Sequence, residues 1–140
     1  MILNKQINQS SKKVNPFIGL LLFTISLILI VITGPLGFIY GILHTFFQKG
    51  FSGTGAFFLK IAISVDQLGN VIMQHLLNLL WVQKGGYLFG NRDETISSAL
   101  GKNKENDTLT IFGKTIDKIL DIIDKNHSLD SIDYYVEPGE

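Results

Sequence analysis

Residues 14–48, VNPFIGLLLFTISLILIVITGPLGFIYGILHTFFQ, decide the fold of this chain because they contain no Asp, Glu, Lys or Arg over 35 consecutive positions. An α-helix rises ~1.5 Å per residue, so roughly 20 apolar residues cross ~30 Å of hydrocarbon. Residues 17–40 satisfy that length, and the sequence predicts a transmembrane region over residues 16–48. The alternative is a core helix of a soluble protein, but 140 residues form too small a domain to bury this segment on every side.

The start and the middle of this span carry helix signals. Asn15 can cap the helix, and Pro16 suits its first position, where a missing N–H costs nothing. Pro35 removes the hydrogen bond to the carbonyl of Val31, so we expect a kink or a break near Gly34 and Pro35. The residues expected to lie within the membrane are Phe17, Leu20, Leu21, Ile25, Ile28, Ile32, Pro35 and Tyr40.

Charge is distributed unevenly on either side of the span. Residues 1–65 hold five lysines and no acid, whereas residues 93–140 hold eleven acids and five lysines. Lys5, Lys12 and Lys13 lie in a basic N-terminal flank, residues 1–15, and outnumber Lys49 and Lys60 after the span. The positive-inside rule then places the N-terminus in the cytoplasm. We expect an uncleaved signal anchor in a bacterial inner membrane, since no A-x-A-like cleavage site follows the apolar run.

The same composition excludes several classes of function. An acidic C-terminal half has little attraction for phosphates, so nucleic acid is not expected as a partner. The chain has no cysteine, which removes disulfides, thiolate catalysis and Cys-ligated zinc. No cofactor motif is present, and we expect no cofactor.

A glycine-rich stretch and a second helix follow the span. Residues 49–55, KGFSGTG, are expected to form a flexible connector. Residues 56–83 form an amphipathic or second membrane helix, which can lie in the interface, serve as the main helix of a small domain, or cross the membrane. One crossing places the termini on opposite sides, and two crossings place them together. The polar sector of this helix contains Lys60, Gln67, Asn70, Gln74 and Asn78; opposite it lie Ile61, Val65, Leu68, Ile72, Leu76 and Leu79.

Residues 84–133 have the composition of a small polar helical domain, and residues 134–140 form a tail that we expect to be frayed over residues 137–140. Asn91 or Asp93 can cap a short helix that Gly101 ends. Residues 108–125 form a further amphipathic helix, which needs a partner for its apolar face. That face contains Leu109, Phe112, Ile116, Ile119, Leu120 and Ile123, and the polar face contains Lys114, Asp117, Lys118, Asp121 and Asp124. The fold class is therefore mainly α.

Three segments are similar to a known group of proteins. DQLGNV at residues 66–71, GYLFGNRDETISSALGKNK from Gly86, and TLTIFGKTIDKILDIIDKNHSLDSI from Thr108 together cover about Asp66 to Ile132. They resemble small uncharacterised membrane-associated proteins predicted from tailed-phage genomes. The resemblance implies a gene of phage or prophage origin. It brings no established activity, cofactor or partner.

Six polar residues are candidates for chemistry, because carboxylates and imidazoles are the groups from which a hydrolytic metal site is built. The sequence has no H-E-x-x-H, EF-hand loop or G-x-S-x-G elbow to organise them. Structural roles explain them better: caps, helix margins, and positions where the helix dipole favours their charge. The six are Asp66, Asn70, Asp93, Glu94, Asp124 and His127.

Three classes of function remain. We expect a membrane-anchored, non-enzymatic accessory protein, whose partners are the lipid bilayer and either an unidentified protein or a second copy of this chain. The first alternative is a holin-like lysis protein that oligomerises and permeabilises the inner membrane. The second is a membrane-tethered, metal-dependent hydrolase.

Overall fold

The computed structural model describes residues 15–139, and these residues are mainly helical. Four helices follow in chain order: α1 (Pro16–Leu80), α2 (Ile96–Glu105), α3 (Ile111–Ile123) and α4 (His127–Asp130). The described range contains no strand, and its one isolated antiparallel bridge joins Val82 to Leu109. The lysines of the predicted basic flank, Lys5, Lys12 and Lys13, lie outside the described residues.

The chain divides into two compact units, Met1–Phe57 and Phe58–Glu140. In the first unit, α1 begins as predicted: the Oδ1 of Asn15 accepts a hydrogen bond from the backbone N–H of Phe17 at 3.0 Å. The helix is long and apolar enough to cross a membrane, and the most apolar part of it is not buried within the structure. The prediction of a long apolar helix near the N-terminus is confirmed.

Polar side chains inside the apolar segment satisfy their own hydrogen bonds. The hydroxyls of Thr24, Ser26 and Thr33 each donate to the carbonyl four residues earlier, at 2.9, 2.8 and 2.7 Å. Such back-bonding leaves no hydroxyl donor without a partner, which hydrocarbon requires. These three residues are therefore compatible with the transmembrane prediction.

The break in α1 lies at Gly50. The helix continues through Gly34 and Pro35, so the predicted break there is wrong, and a bend at Pro35 that keeps helical dihedrals stays a prediction. Only Gly50 among the residues of α1 has non-helical dihedrals, φ 64° and ψ −153°, a region that is essentially restricted to glycine. The predicted connector, residues 49–55, is accordingly one glycine long, because residues 51–55 continue as helix.

Within the first unit, the chain reverses at this glycine. The ring centroids of Phe38 and Phe57 lie 6.4 Å apart, whereas 19 residues of straight helix would separate them by ~28 Å. Phe46 and Phe51 make an edge-to-face contact across the turn, with centroids 5.2 Å apart. Residues 51–57 therefore run back alongside the end of the preceding helical segment.

The second unit is organised on residues 58–80 of α1, which we call the platform helix. Its buried residues are Asn70 and Leu77. A small apolar core lies beside it, formed by Leu77, Val82, Phe89, Ala99, Leu100 and Leu109. The predicted polar domain thus shares its core with the last turns of α1.

Caps differ from the predicted ones at α2. Thr95 is the N-cap, and its Oγ1 accepts a hydrogen bond from Ser98 N at 3.1 Å, whereas Asn91 shapes the preceding turn through the N–H of Asp93 at 2.9 Å. Gly101 does not end α2, which continues to Glu105. A Cβ at residue 101 would collide with the carbonyl of Ser128, so this glycine permits close packing of α2 against α4.

The C-terminal segment is packed rather than frayed over its described part. Gly139 N–H donates to the carbonyl of Leu88 at 3.0 Å, and the carbonyl of Glu137 accepts from the amide of Asn91 at 2.8 Å. Gly139 is buried against Phe89. The chain up to residue 139 therefore belongs to the second unit.

Candidate functional site

One face of the platform helix carries Asn70 and Asn78 and contacts the polar part of the second unit; we call it the amide face. Asn70 is 0% exposed: its side-chain NH₂ donates to the carbonyls of Asn91 and Glu94 at 3.0 and 2.8 Å, and its Oδ1 accepts from Gly90 N at 3.0 Å. Asn78 makes a reciprocal pair with the backbone of Phe89, at 2.7 and 3.1 Å. These side-chain amides hydrogen-bond to the backbone of residues 89–94, in place of backbone partners, and so hold that segment against the helix.

The opposite face of the platform helix is apolar and open. Its large side chains are more than half exposed; they are Val65 (61%), Leu68 (56%), Ile72 (68%), Leu76 (53%) and Leu79 (75%). A helix of a soluble protein normally buries its apolar stripe and exposes its polar one. Here the arrangement is inverted, since polar side chains make the internal contacts.

A cleft of about 580 Å³ lies beside the amide face, within the second unit. Three apolar residues contribute to its lining: Leu59, Ala62 and Ile63. The remaining lining is polar and includes four acids: Asp66, Gln67, Asp93, Glu94, Thr95, Ser97, His127, Ser131 and Asp133. Four of the six sequence candidates, Asp66, Asp93, Glu94 and His127, are therefore brought to one cleft.

Asp66 and Asp93 have structural contacts at the edge of this cleft. The Oδ2 of Asp66 accepts from the hydroxyl of Ser97 at 2.9 Å, which joins the platform helix to α2. The carboxylate of Asp93 is 49% exposed and lies 3.7 Å from the Nε of Arg92. Both residues line the cleft.

Glu94 is the most buried ionised group near the cleft. Its side chain is 0% exposed, and its Oε1 lies 2.7 Å from the Nζ of Lys102. Ser98 Oγ donates to the same oxygen at 2.6 Å, and Tyr87 OH donates to Oε2 at 2.8 Å. With both oxygens hydrogen-bonded inside the unit, Glu94 serves as an anchor of the fold.

The phenol of Tyr87 is held neutral by this network. Burial raises the pKa of Tyr87, and the hydrogen bond with Glu94 and its negative charge raise the pKa further. The ammonium of Lys102 lies 3.0 Å from the phenol oxygen and 4.4 Å from the ring centroid. Lys102 also donates to the carbonyl of Val136 at 3.1 Å, which connects the C-terminal segment to the ion pair.

The other candidates lie apart from a catalytic arrangement. Asn70 is enclosed behind the cleft by its three hydrogen bonds, and Asp124 forms a 3.0 Å contact with Nδ1 of His127 at the exposed end of α3. Over residues 15–139, no group of three His, Asp or Glu side chains is placed to hold a metal ion. The geometry gathers acids at a cleft without arranging them as ligands.

A second ionic cluster joins α2 and α4 to the inner face of α3. The Nζ of Lys104 lies 2.8 Å from Asp117 and 2.9 Å from Asp121, and Asp117 also accepts a hydrogen bond from Ser128. Burial lowers the pKa of Lys104, but the hydrogen bonds with these two aspartates outweigh it and raise the pKa overall. Asp117 is thus an internal residue, although the sequence places it on the polar face of the helix.

The apolar face of α3 is divided between core and surface. Ile116 and Leu120 pack against the core, and Leu109, just before the helix, is buried. The other apolar side chains are open; they are Ile111 (84%), Phe112 (67%), Ile119 (49%), Ile122 (85%) and Ile123 (78%). This exposed stripe was only partly anticipated, since Ile111 and Ile122 were not among the expected members of the face.

Sequence reasoning missed the roles of Tyr87, Lys102 and Asn103. A signal for the ion pair was present, because Glu94, Ser98 and Lys102 are spaced four residues apart and so share one side of a helical turn. Asn103 is 0% exposed and bridges the backbone of Tyr87 in both directions, at 2.9 and 2.8 Å. No local pattern distinguishes that asparagine from a surface one.

Comparison with known proteins gave no match to a family model, a curated protein or a solved structure.

Proposed function

We propose that this chain is a membrane-anchored, non-enzymatic accessory protein whose second unit binds another protein. The observation that carries the proposal is the inverted platform helix, with its amides turned into its own unit and its apolar side chains turned out. An outward apolar stripe on a helix continuous with a long apolar segment suits contact with lipid. Such contact holds the polar unit at the bilayer.

The proposed topology has residues 17–40 crossing the membrane and the platform helix lying in the interface. Asn70, in the middle of that helix, is bonded to a loop that carries Arg92 and Asp93, whose side chains are 68% and 49% exposed. A transmembrane platform helix would take these charges into hydrocarbon, at a cost of roughly 2.5–3.5 kcal/mol for each. An in-plane helix leaves them in water.

The proposed binding site for the protein partner is the acidic cleft. Its lining includes Asp66, Asp93 and Asp133 together with three apolar residues. These features suit a segment of the partner that combines lysine or arginine with small apolar side chains. A bacterial inner membrane, a cytoplasmic N-terminus and a phage or prophage origin complete the proposal; the last depends on the sequence resemblance alone.

Site-specific photo-cross-linking in growing cells tests the binding proposal. A photoreactive amino acid at Asp93, inside the cleft, should give a discrete cross-linked product with a second protein. The matched control is Asp107, whose side chain is 85% exposed and lies outside the cleft lining. Equal products from both positions, or none from Asp93, would contradict the assignment of the cleft.

Two further measurements test the membrane anchor and the holin-like alternative. The full chain should stay in the membrane pellet after an alkaline carbonate wash, and the membrane potential should persist during expression. Recovery of the chain in the wash supernatant would contradict the proposed membrane anchor. Rapid collapse of the membrane potential, measured with a potential-sensitive dye, would contradict the accessory function and favour the pore-forming alternative.

A further inference from the structure

The outer face of α3 carries an apolar stripe that the described residues of the second unit leave largely uncovered. Ile111, Ile119 and Ile122, with Phe112 and Ile123, are 49–85% exposed. At 3.6 residues per turn, these side chains fall in a sector about 120° wide, the width of a buried helix face. Five large apolar side chains on a 13-residue helix therefore face outward together.

The stripe continues from the exposed face of the platform helix. Thr110, the N-cap of α3, donates from its backbone N–H to the carbonyl of Trp81 at 2.9 Å and from its hydroxyl to the carbonyl of Leu80 at 2.5 Å. Leu80 is 41% exposed, and Ile111, next to the cap, is 84% exposed. The exposed apolar surface of α3 thus starts where that of the platform helix ends.

The charges of α3 are arranged to suit a lipid headgroup region. Its two inner acids, Asp117 and Asp121, are paired with Lys104 inside the unit. Lys118 is exposed and lies beside Ile111 and Ile122 on the helical projection, so its stem can lie along the stripe while its ammonium reaches anionic headgroups. The two acids within α3 are thus paired with Lys104, while Asp124 at the C-cap is 69% exposed and lies 3.0 Å from Nδ1 of His127.

We propose that α3 is a second lipid-contacting element, which inserts its apolar stripe into the interface of the bilayer that holds the anchor. The occupant of the stripe is lipid, at the depth of an interfacial amphipathic helix, about 5–10 Å below the headgroups. This inference depends on the proposed membrane anchor. It adds a second point of attachment, which fixes the orientation of the unit on the bilayer.

Spin labels on the full chain in nanodiscs of phosphatidylcholine and phosphatidylglycerol test this inference. The chain has no cysteine, so each variant carries one label, at Ile122→Cys in the stripe or at Lys114→Cys on the same helix outside it. Relaxation by oxygen and by a water-soluble nickel complex reports the depth of each label. We expect oxygen access and nickel protection at residue 122, and nickel access at residue 114.

A third label, Ile28→Cys in the predicted span, distinguishes failure of the inference about α3 from failure of the proposed membrane anchor. Nickel access at residue 122 with protection at residue 28 would overturn the role of α3 while the anchor stands. Nickel access at residue 28 would overturn the anchor itself. A short distance between residue-122 labels on two chains in one nanodisc, without oxygen access, would assign the stripe to a second copy and also overturn lipid contact.

Discussion

The residue that controls the stability of the second unit is Lys102, because it is the only cation in ion-pair contact with the fully buried Glu94 among the described residues. Lys102→Met should reduce the free energy of unfolding by roughly 3–5 kcal/mol, since it leaves an uncompensated carboxylate in the interior. Urea unfolding of the full chain in detergent, followed by Trp81 fluorescence, measures the loss.

The double variant Glu94→Gln with Lys102→Met distinguishes charge from packing, because it removes both charges and should recover part of the lost stability. Lys114→Met is the matched control: its partner Asp107 is 85% exposed, and an exposed pair contributes only about 0–1 kcal/mol. A loss at Lys102 no larger than at Lys114 would contradict the assigned role.

Tyr87 predicts a fall in stability at high pH. Its folded pKa is raised above the ordinary 10.0 by burial and by Glu94. The favourable contribution is complete below pH 10 and declines above it, since only the unfolded chain then loses the phenol proton. The free energy of unfolding should therefore fall more steeply above pH 10 in the native chain than in Tyr87→Phe. Parallel pH profiles of the two proteins would contradict this.

At the scale of elements, Gly50 decides where α1 reverses. Ala at this position must adopt φ 64° and ψ −153°, which costs of the order of 1–3 kcal/mol. Gly50→Ala should thus weaken the approach of residues 38 and 57, measured as slower cross-linking of a Phe38→Cys, Phe57→Cys pair by a short bifunctional reagent. Gly55→Ala is the control, since a Cβ there meets open space. Equal rates in the two variants would show that Gly50 does not set the turn.

The elements also show what the sequence could and could not predict. The start of α1 and the amphipathic helix near residues 108–125 follow from local caps and periodicity, which act within one turn of helix. The break lies at Gly50 rather than at Pro35, because glycine has no Cβ and adopts positive φ readily, whereas the φ of proline is compatible with a helix. The inverted platform helix could not be predicted from periodicity, which gives two faces without saying which one packs. The cleft likewise depends on contacts between residues distant in sequence, such as Asp66 with Ser97.

At the scale of the whole molecule, the number of membrane crossings decides which compartment the second unit meets. The reversal at Gly50 is compatible with a second crossing, but Arg92 and Asp93 beside the middle of the platform helix oppose one. We therefore expect one crossing, with the two termini on opposite sides. Single cysteines in this cysteine-free chain, at Ser10 or at the 93% exposed Tyr135, test it in intact spheroplasts with an impermeant maleimide. Labelling at residue 135 alone before lysis, and at both residues after lysis, is the expected result. Labelling of both residues, or of neither, before lysis would show two crossings. The platform helix would then cross the membrane despite the charges of Arg92 and Asp93 in the loop beside it.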